Sequence, residues 1–104
     1  MQWQSLSFPH TGWSYDDLAE AFGALADPSR VKIIYSLLEG ERCVGELARS
    51  LGLSVSSVSQ HLRLLRALRW AKNRRQGRMV FYSLDDAHVR ELLDIGLRHI
   101  QGRE

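Results

Sequence analysis

Apolar positions along the chain fall into helical spacing, switch to a strand-like run, and return to helical spacing. Leu18, Ala21, Phe22 and Leu25 share one face of a helix. Ser14 stands before them as a cap, and Asp16 and Asp17 occupy the first turn, where the helix dipole favours acids. Asp27-Pro28-Ser29 interrupts this pattern, and a proline is well tolerated at a helix start. A second helix is predicted over Ser29–Glu39, with Val31, Ile34, Tyr35 and Leu38 inside and Gly40 ending it. A short third helix, Cys43–Leu51, buries Leu47, Ala48 and Leu51 and stops at Gly52. Ser54 caps a fourth helix running to about Arg69, with Val58, Leu62, Leu65 and Leu68 as its stripe.

Beyond that helix, Trp70–Asn73 and Met79–Leu84 flank Arg74-Arg75-Gln76-Gly77-Arg78. Val80, Phe81 and Tyr82 favour strands and Gly77 favours a turn, so this segment is predicted as a hairpin with a basic tip. Asp86 caps a last helix to about Gln101, carrying Val89, Leu92, Leu93, Gly96, Leu97 and Ile100 on one face. The third and fourth helices, close together around a glycine, form a helix–turn–helix. With the hairpin behind them, the expected fold is mainly α with a small β-hairpin, a winged helix–turn–helix. Residues 1–14 read as an N-terminal arm, whose Trp3, Phe8 and Trp13 need a surface to pack on, and residues 15–104 as the domain proper.

The chain has 104 residues, one domain's worth, and so short a chain gains from a partner to cover its apolar faces. At 44% hydrophobic and 25% charged residues the composition is globular rather than disordered. No apolar run approaches the ~20 residues of a membrane span. Met1–Ser7 has neither the basic residue nor the apolar segment of a secretory signal. Cys43 is the only cysteine, which excludes an internal disulfide and an all-thiolate zinc site within one chain. A cytoplasmic protein is expected. No glycine-rich phosphate loop, nucleophile elbow or oriented cysteine–histidine pair points to an enzyme.

The formal net charge is +2 and the isoelectric point about 9.0, unremarkable for the whole chain. The distribution is more telling. From Leu47 to Leu84 there is no acidic residue, while Arg49, Arg63, Arg66, Arg69, Lys72, Arg74, Arg75 and Arg78 fall there. Such a segment is either a solvated basic face or the footprint of a polyanion. The helix–turn–helix decides for double-stranded DNA. The start of the fourth helix would enter the major groove, and its Ser54, Ser56, Ser57, Ser59, Gln60 and His61 are small or carry donors and acceptors for base edges. Arg63 and Arg66 suit phosphates, and Arg74, Arg75 and Arg78 suit phosphates or an adjacent minor groove.

These motifs together resemble the ArsR/SmtB family of bacterial metal-responsive repressors. The matching pieces are Ala26-Asp27-Pro28-Ser29-Arg30, Arg42-Cys43-Val44-Gly45-Glu46-Leu47-Ala48, Ser56-Ser57-Val58-Ser59-Gln60-His61-Leu62, Arg75-Gln76-Gly77-Arg78 and Tyr82-Ser83-Leu84-Asp85-Asp86. The matching stretch as a whole runs from about Leu25 to Gln101. The resemblance implies a homodimer joined through its first and last helices, with recognition helices in successive major grooves of an operator. One departure is Ser59-Gln60-His61, where relatives usually read Ser-His-Gln.

The histidines raise a second chemistry. His88 and His99 are eleven residues apart, about 16 Å along a helix, too far to share one ion. If the last helices pair antiparallel across a dimer, Asp86 and His88 of one chain meet His99 of the other. This makes two symmetric sites of mixed nitrogen and oxygen donors, suited to Zn(II) and also to Co(II) or Ni(II). The SmtB-like pattern of Asp-x-His, ten residues, then His supports the set. Its fourth position is Gly102, which cannot ligate, so Glu104 or water would complete the shell. The family's thiolate site near the third helix matches only at Cys43; Gly45 replaces its second cysteine, leaving at most a His10–Cys43–Glu46 set. The function this implies is a Zn(II)-sensing repressor that releases operator DNA on metal binding. The alternative is a repressor of the same family answering another signal or none.

Overall fold

The computed structural model describes Gly12 and residues 14–102. Helix α1 is Tyr15–Gly23, opened by a reciprocal cap in which Ser14 Oγ accepts the Asp17 N–H (3.1 Å) and Asp17 Oδ2 accepts the Ser14 N–H (3.0 Å). Asp27 caps α2, Pro28–Ser36, by accepting the Arg30 N–H at 3.1 Å. A 3₁₀ turn, Leu37–Glu39, leads to Gly40, whose φ of +137° redirects the chain into a two-residue strand β1, Arg42–Cys43. Helix α3 is Val44–Leu51 and α4 is Val55–Ala67, with Ser54 Oγ accepting the Ser57 N–H at 3.0 Å. Strands β2, Ala71–Gln76, and β3, Met79–Leu84, form the hairpin, and α5 is Ala87–Gln101. Apart from Gly12 and Ser14, the expected arm with its three aromatics lies outside the described residues, as does Glu104.

The core forms where α2, α3 and α4 converge. Ile33, Ile34, Leu47, Val58, Leu62 and Leu65 are wholly excluded from solvent. Trp70, Ala71, Leu84 and Val89 extend the core under the hairpin and the start of α5. The α4 stripe lies where its spacing predicts, with Leu68 half-buried at its end.

Three features differ from the sequence reading. First, β1 was not anticipated; it pairs antiparallel with β3, giving an antiparallel sheet in the order β1-β3-β2. Second, the hairpin is longer and its turn tighter: Arg74, Arg75 and Gln76 lie in β2, Gln76 pairs with Met79, and Gly77 (φ +62°) with Arg78 makes the turn. Arg74 and Arg75 are therefore strand residues. Third, α2 is rotated relative to expectation. Ile33 joins Ile34 in the core, whereas Val31 and Tyr35 face outward.

That rotation belongs to a larger pattern. No residue of α1 is buried, and Val89 is the only buried residue of α5. Phe22 and Ile100 are 53% and 68% exposed. Phe22, Val31, Tyr35, Leu92, Gly96 and Ile100 line one apolar groove of about 300 Å³ between α1, α2 and α5. The apolar stripes of the first and last helices, expected to meet a second chain, thus lie on the surface among the described residues. Helix α1 is tied to the body by Trp70, whose indole N–H donates to the Ala21 carbonyl at 2.7 Å. No helix among the described residues is long and apolar enough to cross a membrane.

Candidate nucleic-acid interface and metal-ligand pair

Helix α4 sits on α2 and α3 by one face and leaves the opposite face open. Ser54 is exposed, with its hydroxyl used in the cap. Ser56, Gln60 and Arg63, at helical spacing, point to solvent, as does Arg66; Ser57, Ser59 and His61 are half-buried on the flanks. Beside the exposed apolar Val55 and Leu64, the outward polar side chains are short or amide-bearing at the start of α4 and cationic further along. That order suits base edges near the helix start and phosphates beyond it.

The hairpin extends beside α4 as a two-stranded wing. Arg75 is exposed on β2 and Arg78 in the turn, and neither has a carboxylate partner among the described residues. Arg74 is different. Its Nε and Nη2 donate to Glu41 Oε2 and Oε1, both at 2.8 Å, and its Nη1 donates to Gln76 Oε1 at 2.8 Å. The guanidinium also lies 4.9 Å from the Phe81 ring centroid. Hydrogen bonding from Arg74 holds the Glu41 carboxyl below its ordinary value, and Glu41 in turn raises the Arg74 pKa. Sequence reasoning missed Glu41, which lies 33 residues from its partner with no local signal linking the two.

At the start of α5, Asp86 Oδ1 accepts the backbone N–H groups of His88 (2.9 Å) and Val89 (3.1 Å). The Val89 N–H is the largest influence holding this carboxyl below its ordinary value, with His88 adding to it. Capping uses one oxygen only. The other, Oδ2, lies 3.5 Å from His88 Nδ1, and both side chains are exposed. Bonds of about 2.1 Å at a tetrahedral angle place neighbouring donors about 3.4 Å apart, so this pair has the spacing of two ligands on one zinc ion. His99 is exposed near the far end of the same helix. No group of three or more His, Cys, Asp or Glu side chains among the described residues gathers into a metal site, so Asp86 and His88 form an incomplete pair within one chain. Cys43 is half-buried at the start of α3, and its backbone N–H donates to Glu46 Oε1 at 2.9 Å, which lowers the Glu46 pKa. His10 lies outside the described residues.

A helix–turn–helix followed by a basic two-stranded wing defines a winged-helix DNA-binding domain. Comparison with known proteins carries this further. The family model of bacterial regulatory proteins of the arsR family matches residues 27–71. The cadmium resistance regulatory protein CadC homolog of Staphylococcus aureus is 49% identical over 84 residues, covering 80% of this chain and 69% of that protein. The repressor SmtB homolog of Synechocystis is 48% identical over 84 residues, 81% of this chain and 64% of its own length. Among solved structures, a homodimeric winged helix-turn-helix DNA-binding domain from Mycobacterium bovis superposes with a TM-score of 0.77 at 25% identity, covering 91% of this chain and 94% of that one. The chain belongs to the arsR family of bacterial regulatory proteins. That family is one of metal-responsive transcriptional regulators, and the chain is not an enzyme.

Proposed function

We propose that this protein is a homodimeric, Zn(II)-responsive repressor that binds operator DNA in the cytoplasm and releases it when metal binds. The uncovered groove between α1, α2 and α5 supports the dimer, because exposing so large an apolar face in water is unfavourable and a second copy offers a matching face. In this reading Ser56 and Gln60 of α4 read base edges, with Ser57, Ser59 and His61 beside them. Arg63, Arg66, Arg75 and Arg78 take phosphates. Ser54 holds the start of α4 in shape.

The observation that carries the metal reading is the solvent-open pair of Asp86 Oδ2 and His88 Nδ1 at 3.5 Å. Antiparallel α5 helices would bring His99 of the second chain to this pair, and Glu104 or water would fill the fourth position, where Gly102 cannot ligate. Asp86 and His88 with His99 of the second chain would hold the ion, which would supply a positive charge linking the two chains. Asp86 and His88 sit where β3 gives way to α5, so drawing them toward the partner's α5 changes how the two winged domains face each other. Two recognition helices that no longer match successive major grooves lose operator affinity.

The test is stoichiometry by complementation. The dimer binds two metal ions, and His88→Ala and His99→Ala each abolish tight binding. A heterodimer of the two variants recovers one site, built from the intact His88 of one chain and the intact His99 of the other. Bound Co(II) gives d–d bands without an intense thiolate band. A strong thiolate band lost on Cys43→Ser would move the site to α3. No tight metal binding at all would leave a repressor of the same family answering another signal, a reading favoured by the glycine at position 102.

A further inference from the structure

Arg74 lies within the acid-free basic segment, yet its surroundings set it apart from the other wing arginines. The register pairs Arg74 with Phe81 and Cys43 with Phe81, so the three form a row across the sheet on one face. Glu41 stands two residues before Cys43, on the same side of the chain. Starting on β2, the Arg74 side chain passes over the Phe81 ring on β3 and lands on Glu41 at the head of β1. Strands β2 and β1 do not pair with each other, so this bridge is a link between them that bypasses β3. The contact is a two-point fork, both bonds at 2.8 Å, with the third guanidinium nitrogen held by Gln76. All three nitrogens are thus engaged. A planar fork of this kind fixes orientation as well as distance, which a lysine could not do.

We propose that Arg74 and Glu41 form a clamp that sets the angle of the wing, and that Arg74 is a positioning residue rather than a phosphate contact. The phosphate contacts of the wing pass through Arg75, which alternates to the other face of β2, and Arg78 in the turn. Stacking on Phe81 and pairing with Glu41 hold the Arg74 guanidinium, itself half-exposed, along the sheet surface. The Glu41 carboxylate also offsets the local positive charge, so the net cationic face of the wing is narrower than the arginine count implies. The part of this proposal that concerns phosphates rests on the DNA-binding reading; the clamp itself does not.

Two measurements on the full chain separate those parts. The first is amide hydrogen exchange of residues 72–81 without DNA. Glu41→Gln and Arg74→Ala each speed exchange across the wing, the double variant adds nothing to either, and Arg74→Lys fails to restore protection. Unchanged exchange in Glu41→Gln and Arg74→Ala overturns the clamp, whatever the protein binds. The second is affinity for a random-sequence 20-base-pair duplex across a series of KCl concentrations. Arg75→Ala and Arg78→Ala each lower the slope of log K against log salt by about one unit. Arg74→Ala leaves the slope unchanged while weakening binding at fixed salt. A slope lowered by about one unit in Arg74→Ala, and restored by Arg74→Lys, makes Arg74 a phosphate contact and overturns the assignment. Absence of salt-dependent binding in the unsubstituted protein sinks the DNA-binding reading instead, and the exchange experiment still decides the clamp.

Discussion

Helix α1 contributes no buried residue of its own, so its attachment depends on what reaches it from the body. Trp70 does so. The ring is 5% exposed, meets Phe22 edge-on with centroids 6.2 Å apart, and donates its N–H to the Ala21 carbonyl at 2.7 Å. That carbonyl lacks its usual helical partner, because the Leu25 N–H turns to Phe22 instead, at 2.9 Å. Trp70→Phe removes the hydrogen bond, worth about 1 kcal/mol, and leaves a half-buried acceptor to whatever water can reach it. The smaller ring also leaves a void, adding about 1–2 kcal/mol. The expected loss is about 2–3 kcal/mol, rising to about 3–5 kcal/mol for Trp70→Ala. Urea denaturation followed by far-ultraviolet circular dichroism measures it, with variants compared at equal protein concentration because the proposed dimerisation would add to apparent stability. A loss below about 0.5 kcal/mol for Trp70→Phe would refute the claim that this ring holds α1 in place.

The apolar groove gives a second prediction: Leu92→Glu, exposed in the single chain, leaves the fold intact but shifts sedimentation to the monomer, and an unchanged dimer would place the interface elsewhere. Gln60→Ala and His61→Ala together reduce discrimination between operator and random duplex by roughly 1–3 kcal/mol, and an unchanged footprint would mean that other residues read the bases. Acid should loosen the wing. The Glu41 pKa is depressed in the folded protein below its ordinary value of 4.5, so its stabilising contribution is complete above that value and is lost as pH falls through the lower, folded one. Glu41→Gln should therefore flatten the acid limb of wing exchange protection, and an unaltered limb would show that Glu41 does not couple to the wing.

Much of this architecture is legible because it is local. Ser14, Ser54 and Asp86 each cap the helix expected of them, and the stripe of α4 faces the core at the predicted spacing. What was not legible depends on distant partners. Strand β1 is two residues long and carries no periodicity; it exists because the free edge of β3 takes a partner. Charged residues read as loop, yet Arg74 and Arg75 lie in a strand, since an extended hairpin can keep polar side chains exposed on β2. Val31 and Tyr35 read as core because helical spacing reports only that a face is apolar, not whether this chain or another covers it. The candidate metal pair divides the same way. Asp86 and His88 meet through a helix cap, a local event, while the distance to His99 follows from helix rise, and a shared ion would need His99 of a second chain.

If metal at Asp86, His88 and His99 drives release of DNA, operator affinity differs with and without Zn(II). Fluorescence anisotropy of a labelled operator duplex is titrated with the dimer, first in chelator and then with two equivalents of Zn(II) per dimer. The account predicts that Zn(II) weakens operator binding by about 5- to 150-fold, the usual range of such coupling, and that His99→Ala binds the operator normally but loses the response. By linkage, operator DNA must weaken zinc binding by the same factor. Operator affinity unmoved by saturating zinc, or moved equally in the unsubstituted protein and in His99→Ala, would contradict it.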